Sequence, residues 1–343
     1  ARWRRVSLAK SKTTMRDVAQ AAEVSPTTVW MVAHNKPGIP AETVLKVRAA
    51  MERLSYTVKL ENNGSTTEPI GLLIEQSSIP AISDVFYGDV IRGFQAEADT
   101  LGYHVILSTF DRNTQDLDLL KTKFARKVAG YVVANDGDIL PEMVIQLESP
   151  NVPVVLIESS IEGHALPAVL GDNFMAGYKI ARFMLERGHR NIAILKGPAK
   201  YSSLVNRFRG ILAALAEADL LPPAAWMPEP VHGHPLKGYV QMRQILELRD
   251  RPTGVIAISD KTAFGAMEAI REAGLNIPRD IAVGSIDNTM ESGYTRPPLT
   301  TVHIPKYEIG VLALRKLHRL IEGSETIPVK SVVYSELIVR ESC

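Results

Sequence analysis

The sequence predicts an α/β protein with an N-terminal all-α helix-turn-helix head and a body of two lobes, each built on a parallel, doubly wound sheet. Three observations lead there. Residues 14–54 carry apolar positions at helical spacing in three short segments. From Ile70 onward, short β-rich apolar runs alternate with amphipathic stretches, the pattern of parallel strands joined by crossover helices. That alternation starts afresh after Gly171 and Asp172, and more than one core is needed for a chain of 343 residues.

The head comes first. Met15, Val18, Ala19 and Ala22 share a helical face, and Thr14 with Asp17 has capping-box spacing, so a helix starts at Thr14. A second starts with Ser25 as N-cap and Pro26 at the first helical position, with Val29, Val32 and Ala33 on one face. Only Glu23 and Val24 separate the two, a join tight enough to make the helices cross and to present the second one outward. A third helix, about Ala41 to Leu54, carries Val44, Val47, Met51 and Leu54 and covers the pair.

Residues 61–69, polar and interrupted by Gly64 and Pro69, read as a linker. The expected strands of the body are Ile70–Ile74, Val105–Leu107, Tyr131–Val133, Val152–Ile157, Ile192–Leu195, Val255–Ile258 and Ile281–Val283, with a further strand near the C-terminus. The expected organisation is a basic tail at 1–12, the head at 13–60, the linker, and a body at 70–343. The first lobe takes about 70–171 with about 305–330. The second takes about 172–302 with the C-terminal strand. Ligands of such sheets bind beyond the carboxyl ends of the strands, here between the lobes.

Net charge is +1, yet residues 1–59 hold 11 Lys/Arg against 4 Asp/Glu while the rest hold 28 against 34. A basic head on an acidic body points to a polyanion partner at the N-terminus. The single cysteine, Cys343, excludes an intrachain disulfide and a cysteine metal cluster. No run approaches the roughly 20 apolar residues of a membrane span, and residues 1–12 lack a signal-like apolar stretch, so a cytoplasmic protein without membrane contact is expected. Phosphate-binding glycine loops, Gly-x-Ser-x-Gly and zinc spacings are absent, so neither an enzyme nor a cofactor or metal is expected. His232 and His234 alternate, but no third ligand accompanies them.

Thr-Met-Arg-Asp-Val-Ala-Gln-Ala-Ala-Glu-Val-Ser-Pro-Thr-Thr-Val (14–29) resembles the helix-turn-helix signature of the lactose/galactose repressor family. The body matches too, in order: Gly-Asp-Asn-Phe-Met-Ala-Gly (171–177), Arg-Gly-His-Arg-Asn-Ile-Ala (187–193), Arg-Phe-Arg-Gly (207–210), Ser-Asp-Lys-Thr-Ala-Phe-Gly-Ala (259–266), Thr-Arg-Pro-Pro-Leu-Thr-Thr-Val (295–302) and Leu-Ile-Val-Arg-Glu-Ser (337–342). The resemblance implies a homodimeric transcription regulator, a repressor, with a sensing domain of the periplasmic sugar-binding fold. No added heptad helix follows residue 342, so a dimer is expected and not a tetramer. The implied partners are double-stranded operator DNA and a small polar effector such as a sugar.

By motif position Pro26, Thr27 and Thr28 sit where the family touches bases and backbone. Thr27 can offer a hydroxyl to a base edge or a methyl to thymine. Thr14, Ser25, Thr28, Asn35 and Lys36 are the phosphate candidates. The family's turn glycine is Glu23 here and its Ser-Arg pair is Trp30-Met31, so the operator sequence does not carry over. For the effector, the resemblance places Phe86 as an apolar wall, Asp136 after a strand, Glu158 at a strand end, Arg207 as a forked donor, Ser259 and Asp260 after a strand, and Asp287 as an acidic contact. Arg207 also reads as an interlobe salt bridge, Asp260 and Asp287 as helix caps, and Phe86 as core. A solute sensor with a degenerate DNA head is the alternative function.

Overall fold

The structure, a computed structural model, describes residues 14–33, 39–54, 56, 68–75, 87–110, 128–134, 144–145, 147, 152–161, 163–230 and 237–343. The tail at 1–12, Asn35, Lys36, linker residues 61–67, Phe86, Asp136, His232 and His234 lie outside the described residues. The chain divides into two compact units, Ala1–Thr66 and Thr67–Cys343.

In the head, α1 (Met15–Ala21), α2 (Pro26–Ala33) and α3 (Ala41–Arg53) follow the expected order. The capping box forms: Asp17 N donates to Thr14 Oγ1 at 3.3 Å and Thr14 N to Asp17 Oδ2 at 2.7 Å. Val18, Ala19, Val29, Val32, Val47 and Ala50 make the small core. Between α1 and α2 the backbone turns at Glu23, which takes φ 55°. Val24 N then reaches back to Ala19 O at 3.0 Å. This is the left-handed closure that helices usually give to glycine, made here by a glutamate.

The first lobe is a six-stranded sheet in the order β10-β5-β4-β3-β1-β2. Its strands are β1 (Ile70–Glu75), β2 (Val105–Phe110), β3 (Gly130–Ala134), β4 (Val154–Ile157), β5 (Ala168–Gly171) and β10 (Lys330–Val333). All its pairings are parallel. Helix α4 (Tyr87–Leu101) lies on one face of it.

The second lobe has the order β11-β9-β8-β7-β6. Its strands are β6 (Ile192–Leu195), β7 (Gly254–Ala257), β8 (Ala282–Asp287), β9 (Thr300–His303) and β11 (Glu336–Ile338). Helices α5 (Asn173–Glu186) and α6 (Ser202–Ala216) cover one face, and α7 (Lys237–Leu246) and α8 (Asp260–Glu272) the other. Helix α9 (Lys306–Ile321) returns to the first lobe beside α4.

Two features differ from a plain pair of parallel sheets. The edge strand β11 pairs with β9 antiparallel, since the chain crosses straight from β10 to β11 with no helix to reverse it. Strands β5, β9 and β10 are absent from the sequence reading: β9 and β10 are interrupted by polar residues, whereas β5, Ala-Val-Leu-Gly, is apolar but only four residues long. In β9, Thr300 and Thr301 are buried with their hydroxyls hydrogen-bonded. At the sheet edge, β10 alternates exposed and half-buried positions. Among the described residues no helix is long and apolar enough to cross a membrane.

Candidate functional site

In the head, the side chains expected at DNA are partly committed to the fold. Thr14 closes the capping box of α1. Ser25 caps α2, with Thr28 N donating to Ser25 Oγ at 3.1 Å and the two hydroxyls 2.9 Å apart. Pro26 takes the first helical position, and Thr27 and Trp30 are exposed one turn apart on the face away from buried Val29 and Val32.

In the body, a polar relay joins the carboxyl ends of the two sheets. Glu158 follows β4 with φ 58° and is buried. Its Oε1 accepts from Gly171 N at 2.5 Å, and its Oε2 from Asn173 Nδ2 at 2.8 Å. Asn173, the first residue of α5, accepts Arg207 Nε on its Oδ1 at 2.8 Å. Arg207 is only 2% exposed. Its Nη1 donates to Ile258 O at 3.0 Å and lies 2.8 Å from Asp287 Oδ1. That approach is off the hydrogen-bonding direction, so the contact is coulombic. Lys306, the first residue of α9, donates to Asp287 O at 2.7 Å.

The relay thus gathers Glu158, Arg207 and Asp287, three of the residues singled out in the sequence. It adds Asn173 and Lys306, which sequence reasoning missed. Lys306 is buried in the first turn of α9, where its charge opposes the helix dipole, so it depends on the acceptor that Asp287 supplies. Asp287 and Asn288 have φ 131° and 51°. With Glu158 they are non-glycine residues held in left-handed conformations at strand ends, a form of backbone strain that concentrates at binding sites. Arg207 sits in the second turn of α6, which opens at Ser202, and not at the helix start.

Ser259 and Asp260 divide their work differently from the sequence expectation. Ser259 caps α8, accepting from Thr262 N at 3.3 Å. Asp260 is fully buried and is no cap. Its Oδ1 accepts from the Ser285 hydroxyl and from Thr301 Oγ1 at 2.6 Å, and its Oδ2 from Thr289 N at 2.7 Å. Burial, reinforced by the nearby charge of Asp287, pushes its carboxyl up to about 6 against the pull of those three donors. The carboxylate therefore holds β8, β9 and the turn after β8 together from inside. Among the described residues no cluster of three or more metal-ligating side chains occurs.

Residues 14–58 match the model of bacterial regulatory proteins of the lacI family, and residues 181–343 that of the periplasmic binding protein-like domain. The chain is 31% identical to catabolite control protein A of Priestia megaterium over 319 residues, covering 92% of this chain and 94% of that one. It is 31% identical to the HTH-type transcriptional repressor PurR of Edwardsiella ictaluri over 334 residues, 96% of both. Among solved structures it resembles a transcriptional regulator CelR–cellobiose complex with a TM-score of 0.73 and 25% identity, covering 97% of this chain and 100% of the other. A lac repressor dimer bound to operator and the anti-inducer ONPF gives a TM-score of 0.70 at 25% identity, covering 97% and 99%. Matched at its head to that family's model and along nearly its whole length to two of these regulators, the chain belongs to the lacI family of bacterial regulatory proteins, as a DNA-binding transcription regulator under effector control.

Proposed function

We propose that the chain is a cytoplasmic, non-enzymatic, homodimeric repressor whose operator affinity responds to a small polar effector, a sugar or close relative, held between the lobes. The observation that carries this reading is the relay from Glu158 through Asn173 and Arg207 to Asp287. It puts carboxylates, an amide and a guanidinium where two sheets end, the donor and acceptor set that a polyol needs. Glu158, Arg207, Ser259 and Asp287 are the effector contacts among the described residues, with Phe86 and Asp136 assigned by motif position. Asp260 supports the floor beneath them. The cellobiose in the similar CelR structure favours the same ligand class.

At the head, Thr14, Ser25, Pro26, Thr27, Thr28, Asn35 and Lys36 are assigned to operator DNA. The dimer contact is assigned to the short turn of the second lobe that carries Met290 and Tyr294, each 76% exposed. Coupling is reciprocal: an effector that weakens operator binding is itself weakened by operator to the same factor.

A thermal-shift screen of sugars, sugar acids and nucleosides tests the sensor. A ligand at about 100 times its dissociation constant stabilises the body by roughly 2.7 kcal/mol. The same ligand must change mobility shift of the operator selected from random DNA. A panel with no stabilising compound, or one whose hits leave operator binding unchanged, sinks the reading.

A further inference from the structure

Helix α2 is the recognition helix of a lacI-family head, yet its eight residues, Pro-Thr-Thr-Val-Trp-Met-Val-Ala, contain no charged and no amide side chain. Guanine is read in the major groove by arginine or lysine and adenine by asparagine or glutamine. None of these is on the helix. The hydroxyls are also restricted: Ser25 and Thr28 are hydrogen-bonded to one another at the cap. Val29 and Val32 are buried in the core of the head. What the helix turns outward is Pro26, Thr27 and Trp30, with Met31 half-buried beside them. Trp30 is 43% exposed, the largest apolar side chain on this face.

We propose that this face reads thymine through its C5 methyl group, with Thr27, Trp30 and Met31 forming the apolar surface that the methyl groups fill. The proposal rests on the operator-binding reading above and names its base preference. Thymine is the base that presents carbon to the major groove, and a methyl buried against an indole ring, a thioether chain and a threonine methyl gains dispersion and loses water. Thr27 and Trp30 stand three residues apart, so their side chains are neighbours along the groove. Phosphate contacts add affinity and carry no sequence information.

The full-length protein, incubated with a pool of random duplexes, is expected to enrich a half-site with T·A pairs fixed at the positions under α2. Replacing each fixed thymidine by deoxyuridine removes only the methyl. Affinity should fall about fourfold per position, the ratio that corresponds to roughly 0.8 kcal/mol for a buried carbon. Trp30→Ser combined with Met31→Arg should enrich guanine instead and lose the sensitivity to deoxyuridine. Both residues lie off the head's buried set, and the deoxyuridine test needs no variant. A parent protein that enriches G·C pairs under α2, or that binds thymidine and deoxyuridine sites within twofold, overturns the thymine readout while leaving operator binding intact. A parent that enriches no sequence overturns both.

Discussion

Gly177 on α5 and Arg207 on α6 meet backbone to backbone, so that a Cβ on residue 177 would overlap the Arg207 carbonyl oxygen. The contact is reciprocal, since a Cβ on Gly210 would overlap the carbonyl of Phe174. The two helices can approach this closely only because both crossing positions lack side chains, and the crossing sets where the Arg207 guanidinium reaches. Gly177→Ala should therefore push α6 outward, with about 1–3 kcal/mol of lost stability from overpacking and weakened effector binding. Denaturant midpoints and calorimetry measure the two. A variant within about 0.5 kcal/mol of the parent, with unchanged affinity, would show that the crossing is soft.

Arg207 is paired inside the protein, so its removal acts on fold as well as ligand. Arg207→Ala leaves Asp287, Asn173 Oδ1 and Ile258 O short of their partner. The expected loss is about 3–5 kcal/mol of stability, the cost of breaking a buried ion pair from one side. Asp287→Asn should cost less, because the backbone oxygen that Lys306 uses is untouched. Urea unfolding of both variants checks the order. An Asp287→Asn protein less stable than Arg207→Ala would reverse the assignment.

Asp260 makes stability depend on pH in a stated direction. Its carboxyl is raised from 3.8 to about 6 by burial and by Asp287. Between those values the folded protein holds a proton that the unfolded chain has released, so stability from this residue is complete below the lower value and is lost as pH rises through about 6. Asp260→Asn removes the titration. The unfolding free energy of the parent minus that of the variant should fall from pH about 4 to 6 and level off above about 7. A difference that is flat, or that rises, would mean that Asp260 stays ionised throughout.

Glu23 turns the backbone at φ 55° without the freedom of glycine. Glu23→Gly should raise the stability of the head by up to about 1 kcal/mol, the strain of a side chain in that conformation, while Glu23→Ala should bring no gain. Circular dichroism melting of the head's transition decides between them. Equal effects of the two substitutions would place the cause in the carboxylate and not in the backbone.

Met290 is exposed beside Tyr294 on the second lobe. Met290→Asp should convert the expected dimer to a monomer at micromolar concentration, because a charge in the centre of an apolar contact carries an uncompensated desolvation cost. Light scattering reads the mass directly, and a variant that remains dimeric would move the interface to another surface.

What the sequence determined by itself is what depends on near neighbours along the chain. The Thr14–Asp17 capping box, the Ser25–Pro26 start of α2, the tight turn at Glu23 and Val24 and the apolar runs Ile70–Ile74 and Ile192–Leu195 are all local patterns, and the structure forms each of them, the first strand running one residue further to Glu75. Ordered motifs also singled out Glu158 and Asp287 at strand ends and Arg207 as a forked donor, and the structure brings these three together. Tertiary structure alone decided the direction in which side chains point. Asp260 turns inward to Ser285, Thr289 and Thr301, which lie 25 to 41 residues away in the chain, and no local spacing reveals that. Asn173 and Lys306 joined the relay because α5 and α9 begin where the chain crosses between lobes. Strand β9 hid because its threonines are buried through hydrogen bonds and not through apolar character. Helix starts and apolar runs are written in short-range spacing, whereas the satisfaction of a buried polar group is settled by whichever donor the folded chain delivers to it.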